Sequence, residues 1–203
     1  MDKHFRFSAI LLAISFSMLS FTTSISASER KINMNQHWKF YHGCIANAEQ
    51  PSFNDSGWRV LDIPHDWSVE PLPVQREGIT IGPFSRMSIG GPDTGQTVGG
   101  EGWYRKELIL QPGDTDKILS LYFEGAYNQT EVWINGQKAC FNAYGYIPFR
   151  IDINKYCNAP GIPNTIAVKV INEGLNSRWY AGSGIYRHVW LILRRMGYFR
   201  RRF

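Results

Sequence analysis

The chain has 203 residues, of which 43% are hydrophobic, with 7 Trp and 19 Gly and a formal net charge of +5, enough for one domain with a real core. The charge total does not mark a basic body: residues 28–193 hold 15 Lys and Arg against 16 Asp and Glu, and the excess sits at Lys3, Arg6, Arg194, Arg195, Arg200, Arg201 and Arg202. A body so close to neutral gives no electrostatic case for a nucleic-acid partner.

Residues 1–27 read as a secretory signal peptide. Lys3 and Arg6 make a positive start, residues 7–21 are mostly apolar and uncharged, and the small residues Ser24, Ser26 and Ala27 suit cleavage. A membrane anchor needs ~18 or more apolar residues, whereas this run is interrupted by Ser8, Ser15, Ser17 and Ser20. The protein is therefore expected to be exported, periplasmic or secreted, with no membrane partner after cleavage. Cys44, Cys140 and Cys157 are an odd number without a C-x-x-C, which argues against a zinc ribbon or a redox motif. One disulfide is possible in an exported protein; semi-buried thiols are the expectation.

A short strand is predicted over 38–41, with Trp38 and Phe40 on one face. The turn Asp55-Ser56-Gly57 should bring Phe53 and Trp58 together as core anchors. A strand over 59–63 stops at Pro64, which has no N–H for a ladder. Next come His65, Asp66 and Trp67 at the strand exit. A carboxylate beside an indole suits a sugar, since the acid accepts from vicinal hydroxyls and the ring packs on C–H faces. The same residues could instead cap local N–H groups (Asp66) and pack in the core (Trp67). Residues 77–101 are glycine-rich and lack any helix or strand period, as functional or disordered loops do. Neither a G-x-G-x-x-G between strand and helix nor a G-K-[ST] occurs, which makes a phosphate loop improbable.

Beyond this loop, strands follow one another. They are predicted over 103–111, 117–124, 130–135, 146–153, 164–171 and 185–193. Leu119, Leu121 and Phe123 share one face, as do Val132 and Ile134, with Glu131 and Trp133 facing out. Ile147, Phe149, Ile151 and Ile153 are expected on one face, likewise Ile166, Val168 and Val170, and likewise Ile185, Val189, Leu191 and Leu193. Asn135-Gly136 signals a tight hairpin, because type I′ turns need positive φ at both positions. Eight or nine short strands without an amphipathic helix make an all-β, two-sheet β-sandwich of jelly-roll type. The small-residue turn Ala181-Gly182-Ser183-Gly184 sets Arg178, Trp179 and Tyr180 in a loop at a strand end, where binding groups tend to sit.

These segments together resemble the N-terminal sugar-binding domain of glycoside hydrolase family 2, the β-galactosidase and β-glucuronidase family. The resemblance runs over roughly 31–193. It rests on Phe53-x-Asp55-x-x-Trp58, Ile63-Pro64-His65-Asp66-Trp67, Gly102-Trp103-Tyr104-Arg105-Lys106, Val132-Trp133-Ile134-Asn135-Gly136 and Arg178-Trp179-Tyr180-x-Gly182-Ser183-Gly184-Ile185-Tyr186-Arg187, in that order. The resemblance implies a galactose-binding-domain-like jelly roll over 28–193. Its partners would be a β-galactoside and the remaining domains of a full enzyme, which hydrolyses terminal β-glycosides with retention through two glutamates on a (β/α)8 barrel. It also implies a sugar-facing role for His65, Asp66, Trp67, Arg178, Trp179 and Tyr180. Arg178 stands where several family members have a sugar-contacting Asp. A barrel needs ~250 residues, so this stretch is expected to have no catalytic residues and to be inactive alone. Residues 194–203 depart from the family as a basic tail and read as a premature end or frame shift, or as a natural tail. A stand-alone exported carbohydrate-binding module is the alternative function. No cofactor motif appears and no His/Cys/Asp cluster has metal-ligand spacing; Ca2+ on jelly-roll loops needs no motif and stays open.

Overall fold

The computed structural model describes residues 29–70, 96–173 and 182–195. Ten strands follow in chain order: β1 (Arg30–Asn33), β2 (Trp38–His42), β3 (Arg59–Leu61), β4 (Gly100–Ile109), β5 (Lys117–Phe123), β6 (Gln129–Ile134), β7 (Gln137–Asn142), β8 (Phe149–Asp152), β9 (Pro163–Asn172) and β10 (Val189–Arg195). They form two antiparallel sheets, one ordered β1-β10-β5-β8 and the other β3-β2-β4-β9-β6-β7. Among the described residues there is no α-helix, and the architecture is a β-sandwich.

Period-two alternation produces the core. Trp38 and Phe40, Tyr104, Val132 and Ile134, and Ile166, Val168 and Val170 point inward from the larger sheet. Leu119, Leu121 and Phe123, Ile151, and Val189, Leu191 and Leu193 complete the cluster from the smaller one. Phe123 stacks face to face on Phe149 with centroids 4.8 Å apart. The β6–β7 hairpin turns through Asn135 (φ 53) and Gly136 (φ 78), the type I′ geometry expected of that dipeptide.

Several strand bounds differ from expectation. The strand predicted over 146–153 begins only at Phe149, so Ile147 lies exposed rather than on the buried face. The last strand begins at Val189, not at 185, although Ile185 is buried all the same. It also runs on through Arg194 and Arg195, which pair with Ile118 and Lys117, two residues past the expected limit of 193. Phe53 and Trp58 do meet, centroids 5.5 Å apart, but not in the main core. They cover the outer face of the six-stranded sheet, together with Ala48, Ala167 and the stacked pair Trp103–Trp133. Arg105, only 4% exposed, fastens this cover: its Nε donates to Asp55 and its Nη1 to the carbonyls of Ala48 and Gln50. The three cysteines are free thiols, and Cys44 is exposed rather than semi-buried.

Candidate functional site

One end of the sandwich gathers the segments that the sequence marks. β4 starts there and β9 ends there, since Gly100 pairs with Asn172. Residues 62–70 and 182–188 cross this end and are joined to each other through backbone. The Ser183 carbonyl accepts from Trp67 N–H (3.0 Å), and the Ile185 carbonyl accepts from His65 N–H (2.8 Å). Gly184 exchanges both its backbone bonds with Tyr127, each 2.9 Å.

Asp66 is the pin of the junction. Its Oδ1 accepts from Ser68 N–H at 2.9 Å, capping the 3-10 turn Trp67–Val69, and from Ser183 N–H at 2.7 Å across the junction. Ser68 Oγ donates to the same oxygen. Gly182 lies against Oδ2 so closely that a Cβ there would stand 2.7 Å from it. Asn172 Nδ2 donates to Ser183 Oγ at 2.6 Å, tying the turn back to the end of β9.

Trp67 goes inward. It is 2% exposed, stacks on Phe40, and donates its indole N–H to the Gly99 carbonyl at 3.1 Å. Gly102 lies flat beneath its ring; a Cβ there would come within 2.4 Å.

His65 sits between the two. Nε2 faces Glu70 Oε1 at 3.0 Å, and Arg59 Nη2 donates to that same oxygen at 2.6 Å. With Nε2–H on Glu70, Nδ1 is left to accept from the Tyr104 hydroxyl, 2.7 Å away. Burial pushes the His65 pKa down, and the bond to Glu70 opposes this without overcoming it. Burial raises the Tyr104 phenol well above its ordinary value. For Glu70 burial acts upward, but the bonds from Arg59 and His65 outweigh it and hold the carboxyl below its usual range. The lowered pKa favours a neutral imidazole, and the partners at its two ring nitrogens fix its geometry.

A pH dependence follows. In the folded chain His65 binds its proton less tightly than the ordinary imidazole value of 6.5. Between that value and its lower folded value the unfolded chain takes up more protons, so folding stability falls as the pH falls through this window. It is fully present above pH 6.5. Urea midpoints measured from pH 8 to pH 5 should show the decline, and His65→Gln should flatten it. An unchanged slope in the variant would assign the decline to other groups.

Of the six residues marked from sequence, His65, Asp66 and Trp67 meet at this end, with the capping and packing contacts just given. Arg178, Trp179 and Tyr180 lie outside the described residues. The turn that follows them, Gly182 to Gly184, is described and is the part that Asp66 grips. Sequence reasoning did not pick out Tyr104 and Glu70 as partners of His65, or Arg59 as the neighbour that shares Glu70 with it. Their separations of 39, 5 and 6 residues carry no periodic signal. Ser183 was visible within its turn but had no assigned part. No group of three or more His, Cys, Asp or Glu side chains that could hold a metal ion occurs among the described residues.

The family model for glycosyl hydrolases family 2, sugar binding domain, matches residues 34–195. A β-galactosidase of Bacteroides ovatus is 41% identical over 171 residues, which cover 84% of this chain and 19% of that protein. A β-glucuronidase of Formosa agariphila is 30% identical over 185 residues, covering 84% of this chain and 18% of that protein. The crystal structure of a glycosyl hydrolase family 2 member from Bacteroides cellulosilyticus superposes with a TM-score of 0.74 at 40% identity, over 81% of this chain and 20% of that one. The chain thus spans about a fifth of the length of the relatives it matches.

Proposed function

From the premise that the chain belongs to glycosyl hydrolase family 2 and carries its sugar-binding domain, we propose that it is the N-terminal sugar-facing part of an exported, β-galactosidase-like enzyme acting on terminal β-D-galactosides. One observation carries this beyond family membership. The segment that includes His65-Asp66-Trp67 and the turn after Arg178-Trp179-Tyr180 lie 117 residues apart in sequence, yet are bonded directly at one end of the sandwich through Asp66 and Ser183. A domain that only filled space would have no need to fix two loops against each other at that end.

The proposed roles divide accordingly. His65, Asp66 and Trp67 set the shape of the sugar-facing end, while Arg178, Trp179 and Tyr180 contact the sugar from the segment that the Asp66–Ser183 bond anchors. A jelly-roll connectivity, a cleaved signal over 1–27 and the absence of a cofactor belong to the same proposal. Hydrolysis belongs to the whole enzyme. It needs a closely spaced pair of carboxyl groups on a barrel of about 250 residues. The purified chain is expected to leave an aryl β-galactoside intact while methyl β-galactoside perturbs the amide resonances around Ser183. Turnover of the aryl galactoside would overturn the division of labour. Amide spectra unmoved by the sugar would overturn the binding role.

A further inference from the structure

Beside the junction lies a second surface whose chemistry the domain's own core does not use. Tyr144 is 56% exposed and Tyr146 46% exposed. Their rings meet edge to face with centroids 5.6 Å apart, and Tyr146 leans on Tyr127 at 5.1 Å. Tyr127 is buried, and burial together with the neighbouring Tyr146 pushes its phenol up to about 12.

The backbone that carries the two exposed rings is held in place. Gly145, between them, lies so close on the Tyr127 ring that a Cβ would stand 2.3 Å from it. The Gly145 carbonyl accepts from the Tyr186 hydroxyl at 2.8 Å, and the Tyr144 carbonyl accepts from Asn142 Nδ2 at 2.9 Å. Tyr186 is itself packed against Gly125, where a Cβ would come within 2.8 Å of the phenol. Tyr127 exchanges two backbone bonds with Gly184. A chain of contacts therefore runs from the turn gripped by Asp66, through Tyr127, to Tyr146 and Tyr144.

We infer that Tyr144 and Tyr146 form a carbohydrate platform next to the terminal-sugar end, taking a further pyranose ring of a β-linked oligosaccharide. This rests on the sugar-facing function proposed above. Three features favour a sugar as occupant. A tyrosine presents a ring face for C–H groups and a hydroxyl for sugar hydroxyls, matching both surfaces of a pyranose. The backbone beneath them is bonded in place and the rings rest on each other and on Tyr127, which limits the freedom lost when a ligand lands on them. The platform is also tied through Tyr127 to the Gly182–Gly184 turn, which places it beside the sugar-facing end.

The test is a titration of the full chain, with ring-labelled tyrosine and labelled amides, using methyl β-galactoside and a β-linked galactotetraose. The tetrasaccharide is expected to move the ring signals of Tyr144 and Tyr146 and to bind about tenfold tighter than the monosaccharide. Replacing both tyrosines with alanine should bring tetrasaccharide affinity down to the monosaccharide level and leave monosaccharide affinity unchanged; replacing both with phenylalanine should retain most of the gain. The amide spectrum of the sugar-free alanine variant checks that its fold matches the parent's. If the tetrasaccharide moves the amides around Ser183 but not the platform tyrosines, the sugar-binding domain stands and the platform is overturned. If the alanine variant binds the tetrasaccharide as tightly as the parent, the platform is likewise overturned. If neither sugar moves any signal, both proposals fall.

Discussion

Alanine at Gly184 is expected to remove a large part of the domain's stability. Gly184 has φ +122, in the range where a side chain is strained whatever the surroundings. The surroundings are also full. A Cβ would lie 2.3 Å from the Tyr104 hydroxyl, 2.8 Å from the His65 carbonyl oxygen and 3.2 Å from the Trp67 ring. The first neighbour is buried and bonded to His65, and the second is backbone. Relief would require the 62–70 segment to lift off the 182–188 segment, breaking the backbone pairs of His65 and Trp67 together. A loss of at least about 4 kcal/mol is expected, a large fraction of the roughly 5–15 kcal/mol that holds a domain of this size. The control is Gly57→Ala, where a Cβ meets nothing within 4 Å and the change should stay within about 0.5 kcal/mol. Urea unfolding followed by tryptophan fluorescence measures both, and equal midpoints for the two variants would refute the close-contact account.

Asp66→Ala should be the next most damaging change. It leaves the N–H groups of Ser68 and Ser183 without their acceptor, and both residues are buried. Each unsatisfied buried donor costs about 1–3 kcal/mol, so a total of about 2–6 kcal/mol is expected for the two. Asp66→Asn keeps an amide oxygen where Oδ1 stands and should lose at most about 1–2 kcal/mol. Amide hydrogen exchange supplies a site-specific reading: Ser68 and Ser183 should lose protection in the alanine variant and keep it in the asparagine variant. Loss of protection elsewhere but not at these two amides would show that Asp66 does not hold the junction.

Much of the sandwich was legible because one face of each central strand is buried, which forces the period-two pattern of Ile166, Val168 and Val170 or of Leu119, Leu121 and Phe123. The strands that escaped notice are edges. β1 reads Arg-Lys-Ile-Asn and β7 reads Gln-Lys-Ala-Cys-Phe-Asn, and an edge strand has few apolar residues to alternate. The outer-face cluster was half legible. Trp133 does point outward, but outward here means under residues 45–58, because Arg105 draws Asp55 and the carbonyls of Ala48 and Gln50 down onto the sheet. That contact spans 50 residues and leaves no mark in any local window. At the site, residues 65–67 and 182–184 do lie together at one end of the fold, whereas the bonds that join them come from topology.

The pairing of β1 with β10 sets the order in which the molecule can be completed. Arg30 lies opposite Leu193, so the first and last strands of the domain are neighbours, and β10 occupies an inner position between β1 and β5. Until residues 189–195 have emerged from the ribosome, the smaller sheet lacks the strand that joins its halves, and β5 has only β8 as a neighbour in its sheet. Contacts of such long sequence separation form slowly. The smaller sheet can therefore close only when the domain's synthesis is almost finished, and loss of the final strand would leave β1 with no partner in the sheet.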